Sequence, residues 1–237
     1  MKIKSTENIL WLASWPRSGN TLLRAILWNC FGLRSGALYD ERATIESPGL
    51  TDMVGCSRDA DLMRSQGVIP CKTHALDVDG HRAIYVIRDG REACVSYWHY
   101  TQDISGNRDC TLEDIITGRL EGFPDWSSHV NAWAPKMRAG TLLVRFEDMR
   151  HNLRIVLQAL AEFLAMDVVT KEMPTFDHFR VMNPDFFRSG SVDSWRTEMT
   201  DDDLAVFWDI HGKAMGRYGY KNGVDHGHHG ASRIVSS

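Results

Sequence analysis

Four apolar runs of strand length punctuate the chain: Ile9-Leu10-Trp11-Leu12-Ala13, Val68-Ile69-Pro70-Cys71, Ala83-Ile84-Tyr85-Val86-Ile87 and Thr141-Leu142-Leu143-Val144-Arg145-Phe146. The first ends in the breaker cluster SWPRSGN and is followed by the helix-like TLLRAILWNC. The third leads into the helical REACVSYWHY and the fourth into the amphipathic NLRIVLQALAEFL. Strands that are apolar without alternation are buried on both faces, and helical segments between them cover a parallel sheet from both sides. The pattern therefore predicts an α/β fold, a three-layer sandwich around a central parallel sheet. Open sheets of this kind place ligands at the carboxyl ends of their strands, where polar residues collect here.

The segment from Thr101 to Asp125 is rich in Gly, Asp and Asn, holds a short helical TLEDIITG, and reads as an excursion over the sheet of the sort that shapes a substrate pocket. The aromatic residues Trp98, Tyr100, Phe123 and Trp126 suggest an apolar or aromatic acceptor, with core packing as the competing reading. With no internal repeat, 237 residues fit one domain over 1–224, and the last residues, 225–237, read as a flexible tail. The tail's His226, His228 and His229 are metal-capable residue types, but a frayed terminus is the commoner meaning of such a run.

A formal net charge of -4 argues against bulk nucleic-acid binding, so any anion site has to be built locally. Cys30, Cys56, Cys71, Cys94 and Cys110 are scattered without a Cys-x-x-Cys pair, which suggests reduced thiols. The start MKIKSTENIL lacks the form of a signal peptide, and no apolar run approaches a membrane span. The expectation is a cytoplasmic protein with no membrane partner. A homodimer is left open.

The segment WLASWPRSGNTLLR carries the strongest chemical signal. A small-residue loop between a buried strand and a helix turns several backbone N–H groups toward one anion. The helix N-terminus, the Thr21 hydroxyl and the Arg17 charge add to it. This is a P-loop-like phosphate cradle, and not a Walker A loop, since it has one glycine and its cation precedes that glycine. In CKTH, Lys72 and His74 share a face if the strand persists to its end. A histidine suits proton removal from a hydroxyl, and a lysine suits stabilisation of developing charge. Arg88 at a strand end and Ser96 on the following helix offer a guanidinium fork and a neutral donor to a second phosphate. The run FFRSGSVDSW is a further Arg-Ser-Gly loop able to wrap an anion.

In this order, from about Ile9 to Tyr220, these segments resemble the cytosolic-type sulfotransferases that use 3′-phosphoadenosine 5′-phosphosulfate (PAPS). The family's Tyr-Pro-Lys-Ser-Gly-Thr-Thr-Trp loop is similar to Trp15-Pro16-Arg17-Ser18-Gly19-Asn20-Thr21-Leu22. Its Lys-Thr-His element, the source of the catalytic base, is present as Lys72-Thr73-His74. DWSSHVNAW and VRFEDM resemble two further family segments. The resemblance implies that residues 17–22 bind the 5′-phosphosulfate. It also implies that Arg88 and Ser96 hold the 3′-phosphate together with Arg188, Ser189 and Gly190, and that Phe146 lies beside the adenine. Leu22 stands where the family has an adenine-stacking tryptophan, Phe146 where it has tyrosine, Ser189 where it has lysine, and Arg17 where it has lysine.

The expected chemistry is in-line sulfuryl transfer to a hydroxyl of a small acceptor, with His74 as general base, Arg17 and Lys72 stabilising charge, and no metal. PAP, 3′-phosphoadenosine 5′-phosphate, would be the product. A P-loop-related ATP-dependent kinase is the alternative, weakened by the missing Walker lysine and magnesium carboxylate. A catalytically inactive nucleotide-binding protein is another. Acceptor identity is not legible in the sequence.

Overall fold

The computed structural model describes residues 8–37, 49–76, 79–120, 122–169, 176–182 and 192–223. Arg188, Ser189, Gly190 and the 225–237 tail lie outside the described residues. Strands β1 (Ile9–Ser14), β2 (Gly36–Ala37), β3 (Ile69–Thr73), β4 (Ala83–Ile87) and β5 (Thr141–Arg145) pair in parallel in the order β2-β3-β1-β4-β5. The helices are α1 (Asn20–Phe31), α2 (Leu50–Val54), α3 (Ala60–Arg64), α4 (Gly90–Asp103), α5 (Leu112–Thr117), α6 (Trp126–Trp133), α7 (Phe146–His151), α8 (Leu153–Leu164), α9 (Phe176–Met182), α10 (Trp195–Glu198) and α11 (Asp201–Arg217).

The continuous apolar runs resolve into two faces. Trp11, Ala13, Cys71, Tyr85, Ile87 and Leu143 join one buried cluster with residues of α4, α5, α6 and α11. Leu10, Leu12, Ile84, Val86, Leu142 and Val144 join a second with residues of α1, α7 and α8. Successive strand residues point to opposite faces, so the central positions of these strands are apolar on both sides, with polar residues mainly at their ends, and the result is the expected three-layer α/β sandwich.

From β1 the chain builds β2 and β3 on one side, then crosses to β4 and β5 on the other. Such a reversal leaves a crevice at the strands' carboxyl ends. Two boundaries differ from the sequence expectation. β3 stops at Thr73, so His74 lies one residue beyond it, and Phe146 opens α7 instead of closing β5. The edge strand β2 was not anticipated, because two residues are too few to carry a periodicity.

Candidate active site

The turn after β1 has two residues with positive φ, Arg17 at 62° and Gly19 at 103°. Glycine is required at the second. A Cβ there would lie 2.4 Å from Cδ2 of Phe146, whose ring packs against the turn. Gly19 is also the N-cap of α1, which has no side-chain cap, so the first-turn amides face the loop. The Asn20 amide nitrogen donates to the Leu12 carbonyl at 2.8 Å and to Ser14 Oγ at 3.3 Å, tying the helix start to the strand. Thr21 is buried in the first turn. The hydroxyl of Ser18 is buried without a hydrogen-bond partner among the described residues, a donor that suits an anion supplied from outside. Leu22 packs between two apolar clusters, one with Leu23 and Ile26 and the other with Leu50 and Phe179.

The second anion element lies against the first. Nη1 of Arg88 donates to the Arg17 carbonyl at 2.9 Å, and Nε of Arg17 donates to Ser96 Oγ at 3.4 Å. The Arg17 guanidinium lies 5.3 Å from the Tyr100 ring, and that of Arg88 lies 4.3 Å from the Phe146 ring. Burial pulls the Arg88 pKa down, while Glu92 and Glu147 push it back up. Glu92, almost fully buried, accepts from Arg88 at 3.3 Å, from Ser194 Oγ at 2.6 Å and from the Trp195 amide at 3.1 Å. It therefore brings the chain that follows residues 188–190 back beside Arg88. Glu147 accepts from the Asp89 amide at 2.9 Å and fixes the start of α4.

The third element is His74. Its Nδ1 lies 2.6 Å from the Ser14 carbonyl oxygen, so Nδ1–H donates and Nε2 is the basic nitrogen. Burial drives the His74 pKa well below the usual histidine value, and the Lys72 charge adds to this, as do His129 and Arg17. Lys72 is itself buried. His74 borders a cleft of about 400 Å³ formed by Thr73, Ala75 and Leu76 on one wall and Gly122, Phe123 and Pro124 on the other. Of the four aromatic residues suggested for an acceptor pocket, Phe123 lines this cleft, edge-on to His74 with centroids 6.3 Å apart. The others have different settings: Trp126 is wholly buried in the core, Trp98 donates to the Cys110 carbonyl, and Tyr100 faces Arg17.

Two further histidines, His129 and His99, do not line this cleft. His129 is wholly buried, its Nδ1 is 2.8 Å from the Tyr85 hydroxyl, and burial pushes its pKa down to about 4. His99 pairs with Glu198. Glu92, Glu147 and the Ser14 carbonyl are site-supporting groups that the sequence reading missed. Glu92 had a signal, since it stands four residues after Arg88 at the start of a helix. The other two depend on tertiary contacts. Among the described residues no group of His, Cys, Asp and Glu could hold a metal ion, and no helix is long and apolar enough to cross a membrane.

A family model described as the sulfotransferase domain matches residues 7–219. Sulfotransferase 1 family member D1 of Mus musculus is 22% identical over 228 residues, covering 80% of this chain and 77% of the relative. Cytosolic sulfotransferase 8 of Arabidopsis thaliana is 23% identical, covering 82% of this chain and 72% of the relative. Among solved structures, mouse sulfotransferase SULT7A1 complexed with PAP superposes with a TM-score of 0.66 at 19% identity, covering 90% of this chain and 85% of that one. Retinol dehydratase in complex with androsterone and PAP gives 0.61 at 18% identity, covering 88% and 80%. These structural likenesses bear on the fold.

Proposed function

The chain belongs to the sulfotransferase family, and from that membership we propose that it transfers a sulfuryl group from PAPS to a hydroxyl of a small, largely apolar acceptor. The observation that carries this reading is the bond between His74 Nδ1 and the Ser14 carbonyl, 2.6 Å long. It leaves Nε2 as the proton acceptor at the edge of the cleft, on a ring kept neutral by burial and by Lys72.

PAPS supplies the sulfuryl group: its sulfur bonds to the acceptor oxygen as the bond to the 5′-phosphate oxygen breaks, and PAP leaves. The protein holds both ends of the donor. The amides of the Arg17–Thr21 turn, with the Ser18 and Thr21 hydroxyls, face the 5′ side, and Arg88 and Ser96 take the 3′-phosphate. The family resemblance assigns residues 188–190 to the same phosphate. His74 Nε2 removes the acceptor's hydroxyl proton, while Arg17 and Lys72 offset negative charge on the oxygens around sulfur. No covalent enzyme intermediate is needed. On the acceptor side, Ala75, Leu76, Phe123 and Pro124 offer apolar contact and His74 the polar one. This composition favours an acceptor with an apolar body and one reacting hydroxyl.

Single-turnover transfer of labelled sulfate from PAPS to a panel of phenols and alcohols tests the reading. His74→Ala is expected to lower the rate about 10²- to 10⁴-fold, while His99→Ala and His129→Gln retain most of it. Near-normal transfer by His74→Ala would remove that residue as the base.

A further inference from the structure

Trp15 immediately precedes the phosphate-binding turn, yet its side chain points across the site. It is 1% exposed, and its indole N–H donates to the Pro124 carbonyl at 2.9 Å. Pro124 follows Phe123 in the cleft wall opposite His74. The same indole meets the Tyr97 ring edge to face at 5.3 Å, Tyr97 meets Phe123 edge to face at 6.1 Å, and Phe123 meets His74 at 6.3 Å. Three perpendicular contacts and one hydrogen bond thus run from the donor turn to the acceptor wall.

We propose that Trp15 is a positioning residue for the acceptor cleft: it sets the place of Phe123, and with it the width of the cleft facing His74. The proposal rests on the reading of that cleft as the acceptor site. The wall needs such an anchor because it belongs to a loop. Gly122 has positive φ, and a Cβ on it would meet nothing within 4 Å, so packing at that residue does not fix the segment. After it, Asp125 is held beside Gly118 and His211 and Trp126 is buried; at the wall itself, the Pro124 carbonyl bonds to Trp15 and the Phe123 ring reaches Trp15 through Tyr97. The opposite wall is fastened in the same manner by a different indole. Trp133 Nε1 donates to the Ala75 carbonyl at 2.9 Å, and the Ala75 amide donates to Thr73 Oγ1 at 3.0 Å. The two walls of the cleft are therefore each held by a tryptophan N–H, one from α6 and one from the residue that precedes the donor turn. Of the pair, Trp15 is the one placed to relate acceptor fit to the donor site.

The test compares wild type with Trp15→Phe, which keeps an aromatic ring and removes the N–H. Trp15→Tyr serves as second variant if the first does not fold, tyrosine being the residue at this position in the related motif. Three readouts are used: the thermal shift given by PAP, amide hydrogen exchange over residues 122–126, and steady-state transfer from PAPS to 2-naphthol. The expected result is an unchanged PAP shift, faster exchange confined to 122–126, and KM for 2-naphthol raised roughly tenfold, the scale of one lost hydrogen bond, with little change in kcat. If 2-naphthol is not an acceptor for the wild type, exchange decides alone. Unchanged exchange at 122–126 overturns the proposal. So does faster exchange spread evenly over α1 and the sheet, which would make Trp15 a general core residue, and so does loss of the PAP shift in the variant, which would assign the indole to the donor site. A wild-type protein that gives no PAP shift removes the donor reading itself, a failure distinct from the others.

Discussion

The guanidinium of Arg88 donates to the main-chain carbonyl of Arg17 across 2.9 Å. A residue at the end of β4 is thereby bonded to the turn at the end of β1, so the group assigned to the 3′-phosphate and the turn assigned to the 5′ side form one unit.

The first expected consequence concerns ligand choice. PAP should raise the melting temperature well above the effect of AMP, since the two differ by the phosphate proposed to be held by Arg88 and Ser96. Arg88→Ala should erase that difference. Because the variant also loses the bond to the Arg17 carbonyl, it should weaken AMP binding as well, by a smaller factor. Thermal-shift titrations with both nucleotides read the two effects separately; equal stabilisation of the wild type by PAP and AMP would contradict the assignment.

The acid limb of the rate profile should lie well below the ordinary histidine value of 6.5, because burial first and Lys72 second depress the His74 pKa. On the proposed mechanism neutral imidazole is the active form. Activity therefore rises as pH climbs through the depressed pKa and is level by neutrality. Lys72→Met lowers the plateau, since a charge-stabilising group is lost, and moves the limb toward higher pH. With burial unchanged, the limb stops short of the ordinary value. A limb that did not move would show that the Lys72 charge does not reach the ring.

Gly19→Ala should damage both stability and donor binding. The backbone there holds φ at 103°, and a Cβ would enter the Phe146 ring at 2.4 Å. A non-glycine residue held in such a conformation costs about 1–3 kcal/mol, before the displacement of Phe146 is counted. Urea unfolding midpoints, with and without PAP, measure the two losses. A variant with wild-type stability and PAP response would rule out the tight packing of Phe146 on the turn.

Stability should decline on mild acidification. His74, His129 and His211 all have folded pKa values below the ordinary 6.5, chiefly through burial, with His129 near 4. Below 6.5 the unfolded chain takes up protons that the folded chain refuses. Their contribution is thus complete above about 6.5 and is lost as pH falls toward the folded values. Glu92 and Glu147, whose pKa values are raised by burial, oppose the trend where they protonate. His211→Gln, at a buried ring between Ser127 Oγ and the Ile116 carbonyl, should flatten the slope of Tm against pH. An unaltered slope would argue against that histidine being neutral in the fold.

Much of this arrangement is legible in residue order, for a physical reason. Strands buried on both faces must be apolar throughout, so AIYVI announces β4 to the residue. Where such strands end, cations and breakers have to follow, and Arg17, Lys72, Arg88 and His74 stand at those ends. The sequence is silent about how these groups are held. Nothing in the spacing of Ser14 and His74 shows that a carbonyl of one fixes the tautomer of the other, or that Trp15 reaches Pro124, 109 residues later. Phe146 shows a different limit. Its place at the end of an apolar run suggested a strand, but Glu147 and Asp148 in the first turn favour a helix start, and the chain follows them.

The bond from His74 to the Ser14 carbonyl has a metrological consequence. Ser14 is the last residue of β1, and the next residues form the donor turn, so base and turn are gauged from one datum. β1 is hydrogen-bonded along both edges, to β3 and β4, and is the central strand of the five. On the proposed mechanism the base and the donor turn are thus referred to the same strand, with no separate element between them.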